Sequence, residues 1–307
     1  MDLPPLCQKE LSRCLHIAFS SVIMRPVMEL NFIKMTGAGN DFVMVDNRDL
    51  SLSELLTREM IAAFCDRRFG IGADGLIAAE PAQAGGDVRM RYYNSDGGEA
   101  EMCGNGARCF TAFYSLLSEG EVSEVTFETM AGLVKGVIND DSSVTIQLTA
   151  PKDMKLNALA ASETVPAPVH FINTGVPHAV AFLPSVKDID IRRCGAFLRY
   201  HEAFAPAGTN ANFATVLSPQ HLQLRTYERG VEDETLACGT GMTATALLHA
   251  ALTGASSPIS LDVAGGDTLS VAFTRTPEGG FTDVTLTGPA AVVFYGCIPF
   301  GDDEEEA

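Results

Sequence analysis

The chain has 307 residues, of which 46% are hydrophobic and 20% are charged, so it can bury the cores of two domains of ordinary size. Its formal net charge is −18 at pH 7, and its isoelectric point is about 4.6. This acidity argues against a nucleic acid or an anionic membrane as a partner, because both bind to basic surfaces.

The eight cysteines form no Cys-x-x-Cys pair, and their spacings do not resemble those of a zinc site. A chain of this size does not need disulfides to be stable. No stretch approaches the ~20 apolar residues that span a bilayer. We therefore expect free thiols, no metal ion, no membrane insertion, and a location in the reducing cytoplasm.

Residues 1–27 are expected to be a poorly ordered extension. The mildly apolar run 15–24 only weakly resembles a secretory signal, because Arg25-Pro26 follows it in place of a cleavage site with small residues. We expect the folded part of the chain to begin at Met28.

The first half, 28–150, is predicted to begin with a strand, a glycine turn at 36–41 and a second strand. A helix is predicted from Ser53, as N-cap, to about Arg67, and a glycine-rich loop follows it to Gly75. Another helix is predicted to begin after Cys103. The strands predicted in this half are 30–35, 42–45, 88–93, 122–127, 133–138 and 144–148.

Residues 151–168 show no clear period and are expected to link the halves. The second half, 169–300, repeats the plan, with a helix at 191–201 and another after Cys238. An acidic tail, 301–307, follows. The strands predicted here are 171–172, 179–183, 212–216, 223–227, 258–263, 268–273, 284–287 and 292–295.

A Cys-Gly-polar-Gly motif occurs twice, at Cys103 and 135 positions later at Cys238, and each copy opens a small-residue helical run. Other features repeat in the same order: Thr36-Gly37 with Thr174-Gly175, Tyr93 with Tyr227, Ala131-Gly132 with Ala264-Gly265, and Val144-Thr145-Ile146 with Val284-Thr285-Leu286. These repeats indicate an internal duplication. The predicted class is α/β of the α+β type, with two pseudo-symmetric halves, each a mostly antiparallel sheet wrapped around a central helix, and an active site in the cleft between them.

Two facing helix starts would favour a particular chemistry. The free N–H groups and the dipole of a helix start bind anions, and they lower the pKa of a thiol placed there. Two such starts can hold one carboxylate together and place one sulfur on each face of the carbon bonded to it. One thiolate can then remove a proton from that carbon while the opposite thiol supplies one, which inverts a stereocentre without a cofactor.

Four motifs in order resemble diaminopimelate epimerase: Thr36-Gly37-Ala38-Gly39-Asn40-Asp41-Phe42-Val43, Asn94-Ser95-Asp96-Gly97, Cys103-Gly104-Asn105-Gly106-Ala107-Arg108-Cys109, and Tyr227-Glu228-Arg229-Gly230 with Glu234-Thr235-Leu236-Ala237-Cys238-Gly239-Thr240-Gly241. The resemblance covers residues 28 to about 300. It implies a pyridoxal-independent enzyme of lysine and peptidoglycan precursor biosynthesis that interconverts L,L- and meso-diaminopimelate with two cysteines. It also implies that the last strand, about 289–300, packs on the first half.

The same resemblance assigns the site residues. Cys103 and Cys238 would be the acid–base pair. The backbone N–H groups that would hold the reacting carboxylate belong to Gly104, Asn105, Gly239 and Thr240. The side chains that would bind the distal end of the substrate are Asn40, Asn94, Asn210 and Arg229, and those beside the thiols are Glu228 and His178. One departure is Val176, where many relatives have an asparagine before the Pro-His pair.

Two other functions are compatible with the residues. One is another isomerase of the same fold, proline racemase-like or phenazine-biosynthesis-like, although Glu228-Arg229-Gly230 favours a substrate with a distal ammonium and carboxylate. The other is a non-catalytic thiol redox sensor, because two activated thiols can form a disulfide. The acidic surface and exposed strand edges also allow a homodimer.

Overall fold

The computed structural model describes residues 28–300, so the predicted extension at 1–27 and the acidic tail at 301–307 lie outside the described residues. The described chain separates into a small unit, made of the strand ends Met28–Leu30 and Cys297–Phe300, and a large unit, Asn31–Gly296, which holds the whole candidate site. Among residues 28–300, no helix combines the length and the apolar character needed to cross a membrane.

The first repeat consists of eight strands and two helices. The strands are β1 Met28–Gly37, β2 Asn40–Asp46, β3 Gly75–Glu80, β4 Val88–Asn94, β5 Glu99–Ala100, β6 Glu124–Thr129, β7 Gly132–Ile138 and β8 Val144–Gln147. The helices are α1 Arg58–Cys65 and α2 Gly104–Leu117. Strand β9, Lys152–Leu159, follows and leads into the second repeat.

The second repeat also has eight strands, and a final strand follows it. The strands are β10 Val169–Asn173, β11 Pro177–Phe182, β12 Asn210–Ser218, β13 His221–Glu228, β14 Asp233–Thr235, β15 Ile259–Asp262, β16 Thr268–Arg275, β17 Phe281–Gly288 and the final β18 Ala291–Phe300. The helices are α3 Ile191–Arg199 and α4 Gly239–Thr253, with a 3-10 turn at Glu202–Phe204.

The strand pairing of the first repeat recurs, pair by pair, in the second. Strands β2–β3 and β4–β6 pair in parallel, as do their counterparts β11–β12 and β13–β15. The other pairs within each repeat are antiparallel: β1–β2, β3–β4, β4–β5, β6–β7 and β7–β8, matched by β10–β11, β12–β13, β13–β14, β15–β16 and β16–β17. This correspondence confirms the predicted duplication and the mostly antiparallel sheets.

The two repeats form one open sheet, because β8 pairs antiparallel with β17. The register sets Ile146 opposite Leu286, two of the residues whose repetition in the sequence pointed to the duplication. Each repeat is also extended by a strand at its far edge, where β18 pairs with β1 and β9 pairs with β10.

A buried helix lies at the centre of each repeat. Helix α4 is buried from Gly239 to Ala250 except at Thr240, since small and aliphatic side chains cover almost its whole circumference. Its buried hydroxyls are satisfied within the helix, where Thr243 donates to Gly239 O (2.9 Å) and Thr245 to Gly241 O (2.8 Å). Such a helix starts at a fixed place, because neither its position nor its rotation can change without repacking the core.

The first helix is shorter than predicted. Residues 51–55 form turns, and α1 begins at Arg58 with Thr57 as N-cap, whose hydroxyl accepts the Met60 N–H at 3.3 Å. Asn47 explains the shift, because its Oδ1 accepts the Leu52 N–H at 2.8 Å and holds the chain in a turn where the apolar pattern alone predicted a helix.

Four strands were not predicted. β3 is buried at every position and therefore shows no alternation, as is typical of a strand covered on both faces. β9 occupies much of the predicted link, and it is exposed at its first six positions, so it lacks an apolar face. The short strands β5 and β14 lie in the loops before the two motif cysteines.

Candidate active site

The two motif cysteines are the N-caps of the two central helices. Cys103 precedes α2 with φ −134° and ψ 123°, and Cys238 precedes α4 with φ −123° and ψ 106°. The extended backbone at each cap lets the side chain turn back over the free N–H groups of the first helical turn. Both cysteines line one cleft of about 900 Å³. The sequence prediction that they share a cavity is therefore confirmed.

The two helix starts approach each other at their first glycines. A Cβ placed on Gly104 would lie 3.7 Å from the Gly239 Cα, and one on Gly239 would lie 3.0 Å from Leu286 Cδ2. Asn105 fastens the two ends together, because its Nδ2 donates to Ala237 O, directly before Cys238, at 3.1 Å. The positive ends of both helices therefore face the same small volume, which makes it a site for an anion.

Most of the residues predicted for the site line this cleft. They are Asn40, Asn94, Cys103, Gly104, Asn105, Asn210, Glu228, Arg229, Cys238, Gly239 and Thr240. Val176, the departure noted in the sequence, lines it as well. His178 is the one predicted site residue that is absent from the lining.

His178 is fully buried and belongs to a polar network at the start of α4. Asn212 Nδ2 donates to Ala179 O and lies 3.1 Å from His178 Nδ1, while Thr226 donates to Asn212 Oδ1 at 3.0 Å. These bonds make Nδ1 the acceptor and leave the ring proton on Nε2. Burial, with a contribution from the Arg229 charge, lowers the pKa of His178 to about 3, so the ring is neutral.

Two of the residues predicted to contact the distal end of the substrate are tied to each other. Asn210 accepts the Arg229 backbone N–H at 2.8 Å and donates to Pro177 O at 3.2 Å. The Arg229 guanidinium donates to Ala207 O at 2.9 Å. Arg229 directly follows β13, so the pairing of β12 with β13 and these hydrogen bonds hold its guanidinium at one end of the cleft. The paired N–H donors of a guanidinium suit a carboxylate.

Asp74 is a lining residue that the sequence did not single out. It accepts from Asn40 Nδ2 at 2.8 Å and from Arg67 at 2.7 Å. Asn40 Oδ1 lies 3.5 Å from Cys103 Sγ and 3.3 Å from Asn105 Nδ2. Asp74 follows a glycine-rich loop directly before β3, the strand that was not predicted, so the sequence carried no signal that it would reach the cleft.

The thiols do not have the lowered pKa values that their positions predicted. Burial raises the pKa of Cys103, and it also raises the pKa of Cys238. The Glu228 carboxylate adds to both increases, because it faces both sulfurs. Helix N–H groups act in the expected direction, yet desolvation in the cleft outweighs them and the prediction was wrong.

Glu228 is itself affected by the dry cleft. Burial raises the pKa of its carboxyl, and the charge of Asp74 contributes to the increase. Burial in the cleft thus raises the pKa of both thiols and of the Glu228 carboxyl, and a positive charge that entered the cleft would oppose all three increases.

Comparisons with known proteins identify similar sequences and similar folds. The profile of the family described as diaminopimelate epimerase matches residues 32–153 and 170–292, which follow the two repeats. A diaminopimelate epimerase of Flavobacterium psychrophilum is 42% identical over 88% of this chain and 100% of the relative.

Solved structures share the fold at low identity. A phenazine biosynthesis protein of the PhzF family from Bacillus anthracis is 16% identical, with a TM-score of 0.68 over 89% of this chain and 100% of that one. A hydroxyproline epimerase from Agrobacterium vitis is 17% identical, with a TM-score of 0.61 over 88% of this chain and 91% of that one.

Proposed function

The chain belongs to the diaminopimelate epimerase family, and from that premise we propose how its residues invert the α-carbon of diaminopimelate. The enzyme is an isomerase that interconverts the L,L and meso forms of this small molecule. The observation that carries the proposal is the pair of cysteines, each capping a buried helix, on one cleft whose helix starts approach at Gly104 and Gly239.

We assign the α-carboxylate of the substrate to the two helix starts. The N–H groups of Gly104, Asn105, Gly239 and Thr240 belong to the first turns of α2 and α4, where backbone donors have no partner within the helix. Loss of the α-proton places additional negative charge on this carboxylate. The two helix dipoles stabilise that charge more strongly in the transition state than in the ground state, which accelerates the reaction.

We assign the proton transfers to the two sulfurs. The thiolate of one cysteine takes the α-proton from one face and becomes a thiol, while the carbon–hydrogen electron pair passes into the carboxylate as an enolate. The thiol of the other cysteine gives its proton to the opposite face and becomes the thiolate. The configuration is inverted, and the pair ends with its proton on the other sulfur.

We assign the α-ammonium of the substrate to Glu228. This carboxylate raises the pKa of both thiols, and the desolvated cleft raises its own pKa. An ammonium ion paired with Glu228 would neutralise the negative charge of this carboxylate. The carboxylate would then no longer repel a thiolate, so binding of the substrate would favour ionisation of a cysteine. A thiolate formed in a dry site is also a stronger base than one in water.

We assign the distal ammonium and carboxylate to the polar end of the cleft. Arg229 supplies a charged fork, and Asn40, Asn94 and Asn210 supply amide groups. Val176 places an apolar side chain in this region, so the distal contacts of this enzyme differ from those that an asparagine would make.

A coupled assay that compares L,L-diaminopimelate with L-proline tests the proposed substrate. We expect turnover of L,L-diaminopimelate and none of L-proline, because proline lacks the distal groups that Arg229 and the asparagines bind. The Arg229→Ala variant should lose most kcat/KM for diaminopimelate. Equal turnover of both substrates, or an unaffected Arg229→Ala enzyme, would favour another isomerase of this fold or a thiol redox sensor.

We also propose a cytoplasmic location and a homodimer. The six cysteines within residues 28–300 are all free, as suits a reducing compartment. Val293, Phe294 and Tyr295 on β18 are large apolar side chains exposed on an outer strand, as a subunit interface would require. Sedimentation at several protein concentrations measures the association, and a monomer at all of them would contradict it.

A further inference from the structure

Two amide side chains connect Cys103 to a buried cation on one side and to a carboxylate on the other. Arg108, on α2, is fully buried, and its Nη2 donates to Asn105 Oδ1 at 3.0 Å. Asn105 Nδ2 in turn donates to Asn40 Oδ1 at 3.3 Å, and Asn40 Nδ2 donates to Asp74 at 2.8 Å.

The groups at the two ends fix the orientation of both amides. A guanidinium has only donors, so Asn105 must turn its oxygen towards Arg108 and its nitrogen towards Asn40. A carboxylate has only acceptors, so Asn40 must turn its nitrogen towards Asp74 and its oxygen towards Asn105 and Cys103. The two requirements agree, and Ala237 O, which also accepts from Asn105 Nδ2, supports the same orientation.

Cys103 Sγ therefore faces a fixed acceptor, Asn40 Oδ1, at 3.5 Å. A thiol can donate its proton to this oxygen, whereas a thiolate would meet a lone pair. Cys238 has a different neighbour, the Thr240 hydroxyl at 3.6 Å, which can rotate and donate to a thiolate. Helix N–H groups act on both thiols, but only Cys103 accepts one as its cap, from Gly106 at 3.5 Å, so these groups favour the thiolate at Cys103 over the thiolate at Cys238.

Other charged and titratable groups also face Cys103 from neighbouring elements. Glu228 favours the thiol at Cys103 and at Cys238 alike, and the Arg108 charge favours the thiolate at Cys103. Asn40 Oδ1, which is in direct contact with Cys103 Sγ, favours the thiol and so opposes the effect of the Arg108 charge. Among residues 28–300, the groups whose charges act on Cys103 or respond to it are Glu228 on β13, Arg108 and Cys109 on α2, Tyr92 on β4, and Cys238 before α4.

We propose that Asp74 is a positioning residue, which holds Asn40 so that its oxygen faces Cys103 Sγ and opposes ionisation of that thiol in the free enzyme. This inference rests on the proposed two-thiol chemistry and deepens it, since it names a residue that controls the proton on one of the two sulfurs.

Alkylation of the free enzyme by iodoacetamide across pH, followed by mass spectrometry of the two cysteine peptides, tests the inference without measuring turnover. The midpoint of alkylation rate against pH in the wild type is the reference for each cysteine, and we expect variants of Asp74 and Asn40 to lower the midpoint of Cys103 alone. Comparing midpoints rather than rates removes the effect of unequal access to the two sulfurs.

In Asp74→Asn the new amide can accept or donate, so Asn40 is free to rotate its nitrogen towards Cys103, and the Cys103 midpoint should fall by about one pH unit relative to that of Cys238. Asn40→Ala, which deletes the acceptor, should lower the Cys103 midpoint as well and serves if Asp74→Asn does not fold. Arg67→Gln is the matched control, because it removes a different partner of Asp74 and leaves the bond to Asn40.

An unchanged Cys103 midpoint in Asp74→Asn, an equal fall at Cys238, or the same change in Arg67→Gln would overturn the inference. Failure of the proposed function gives a different result, namely the expected shift in Asp74→Asn with no epimerase activity in the wild type.

Discussion

At the scale of single residues, the proposed mechanism depends on the acidity of the Cys103 and Cys238 thiols. Cys103→Ser and Cys238→Ser should each lower kcat for epimerisation by at least about a hundredfold, because a serine hydroxyl is a much weaker acid and removing one acid–base group typically costs 10²–10⁴. Turnover of both isomers in the coupled assay measures the loss.

Cys65→Ser is the matched control for these two variants, since Cys65 is a buried cysteine on α1 that does not line the cleft. It should keep kcat close to that of the wild type. Near-normal turnover in either cleft variant would contradict the two-base scheme.

The role of Glu228 can be read from a pH profile. Because its carboxylate raises the pKa of both thiols, Glu228→Gln should move the acid limb of kcat/KM to lower pH. The same variant should raise KM, since the substrate ammonium loses its partner. An acid limb that stays in place, or that moves to higher pH, would exclude Glu228 from tuning the thiols.

The sequence was sufficient to predict most of the residues proposed for the site, which line one cleft, but not the direction in which the pKa values of the two thiols are shifted. The repeated motif located Cys103 and Cys238, because a duplicated pattern cannot be explained by the packing of one cysteine alone. It could not reveal that burial would outweigh the helix N–H groups, since desolvation depends on what covers the cleft. Asp74 was missed for a similar reason, because its role is defined by its contact with Asn40 across the sheet.

At the scale of elements, the first turns of α2 and α4 have different steric tolerances. A Cβ on Gly241 would lie 2.4 Å from Asn212 Oδ1, within the buried network that holds His178, whereas a Cβ on Gly104 would make only ordinary contacts. Gly241→Ala should therefore lower the free energy of unfolding by about 1–3 kcal/mol, measured by urea denaturation.

Gly104→Ala is the matched comparison for that variant. It should leave the free energy of unfolding nearly unchanged and lower kcat/KM at least tenfold, because its methyl group would point towards Gly239, where the helix starts meet. If Gly104→Ala retained full activity, the carboxylate could not lie between the two helix starts.

Elements with a pattern were predicted, and elements without one were not. The strands with an apolar face and the two small-residue helices followed from periodicity. Strand β3 is buried on both faces and β9 is mostly exposed, so neither has the alternation that identifies a strand. The division into 28–150, a link at 151–168 and 169–300 stays a proposal, in which β9 would belong to the second half through its pairing with β10.

At the scale of the whole molecule, His178 couples the stability of the fold to pH. Its pKa is about 3 in the folded protein against 6.5 for the free side chain, so the unfolded state binds the additional proton between these values. The resulting stabilisation is present above pH 6.5 and is lost progressively as the pH falls towards 3, with about 2 kcal/mol lost by pH 5.

Urea denaturation between pH 7 and pH 5 measures this effect, with His178→Gln as the comparison. The variant should lose less stability on acidification than the wild type, although it begins from a lower value. An equal dependence on pH in both proteins would show that the ring is not held in its neutral form.

In the proposed mechanism, the pseudo-symmetry of the two repeats gives one carbon two opposed bases. The β8–β17 pair joins the repeats into one sheet, so the two central helices begin from equivalent places in it. A single repeat would supply one thiol and one helix start, which could exchange a proton on one face but could not invert the carbon.

The appearance of solvent deuterium at the α-carbon of L,L-diaminopimelate, followed in D₂O without added cofactor, tests the two-thiol mechanism most directly. Early in the reaction we expect the meso product to carry deuterium at the inverted carbon while the remaining L,L substrate keeps its hydrogen, because the product receives its proton from the opposite thiol. Product that retains the original hydrogen, or substrate that exchanges as fast as product forms, would contradict two separate bases.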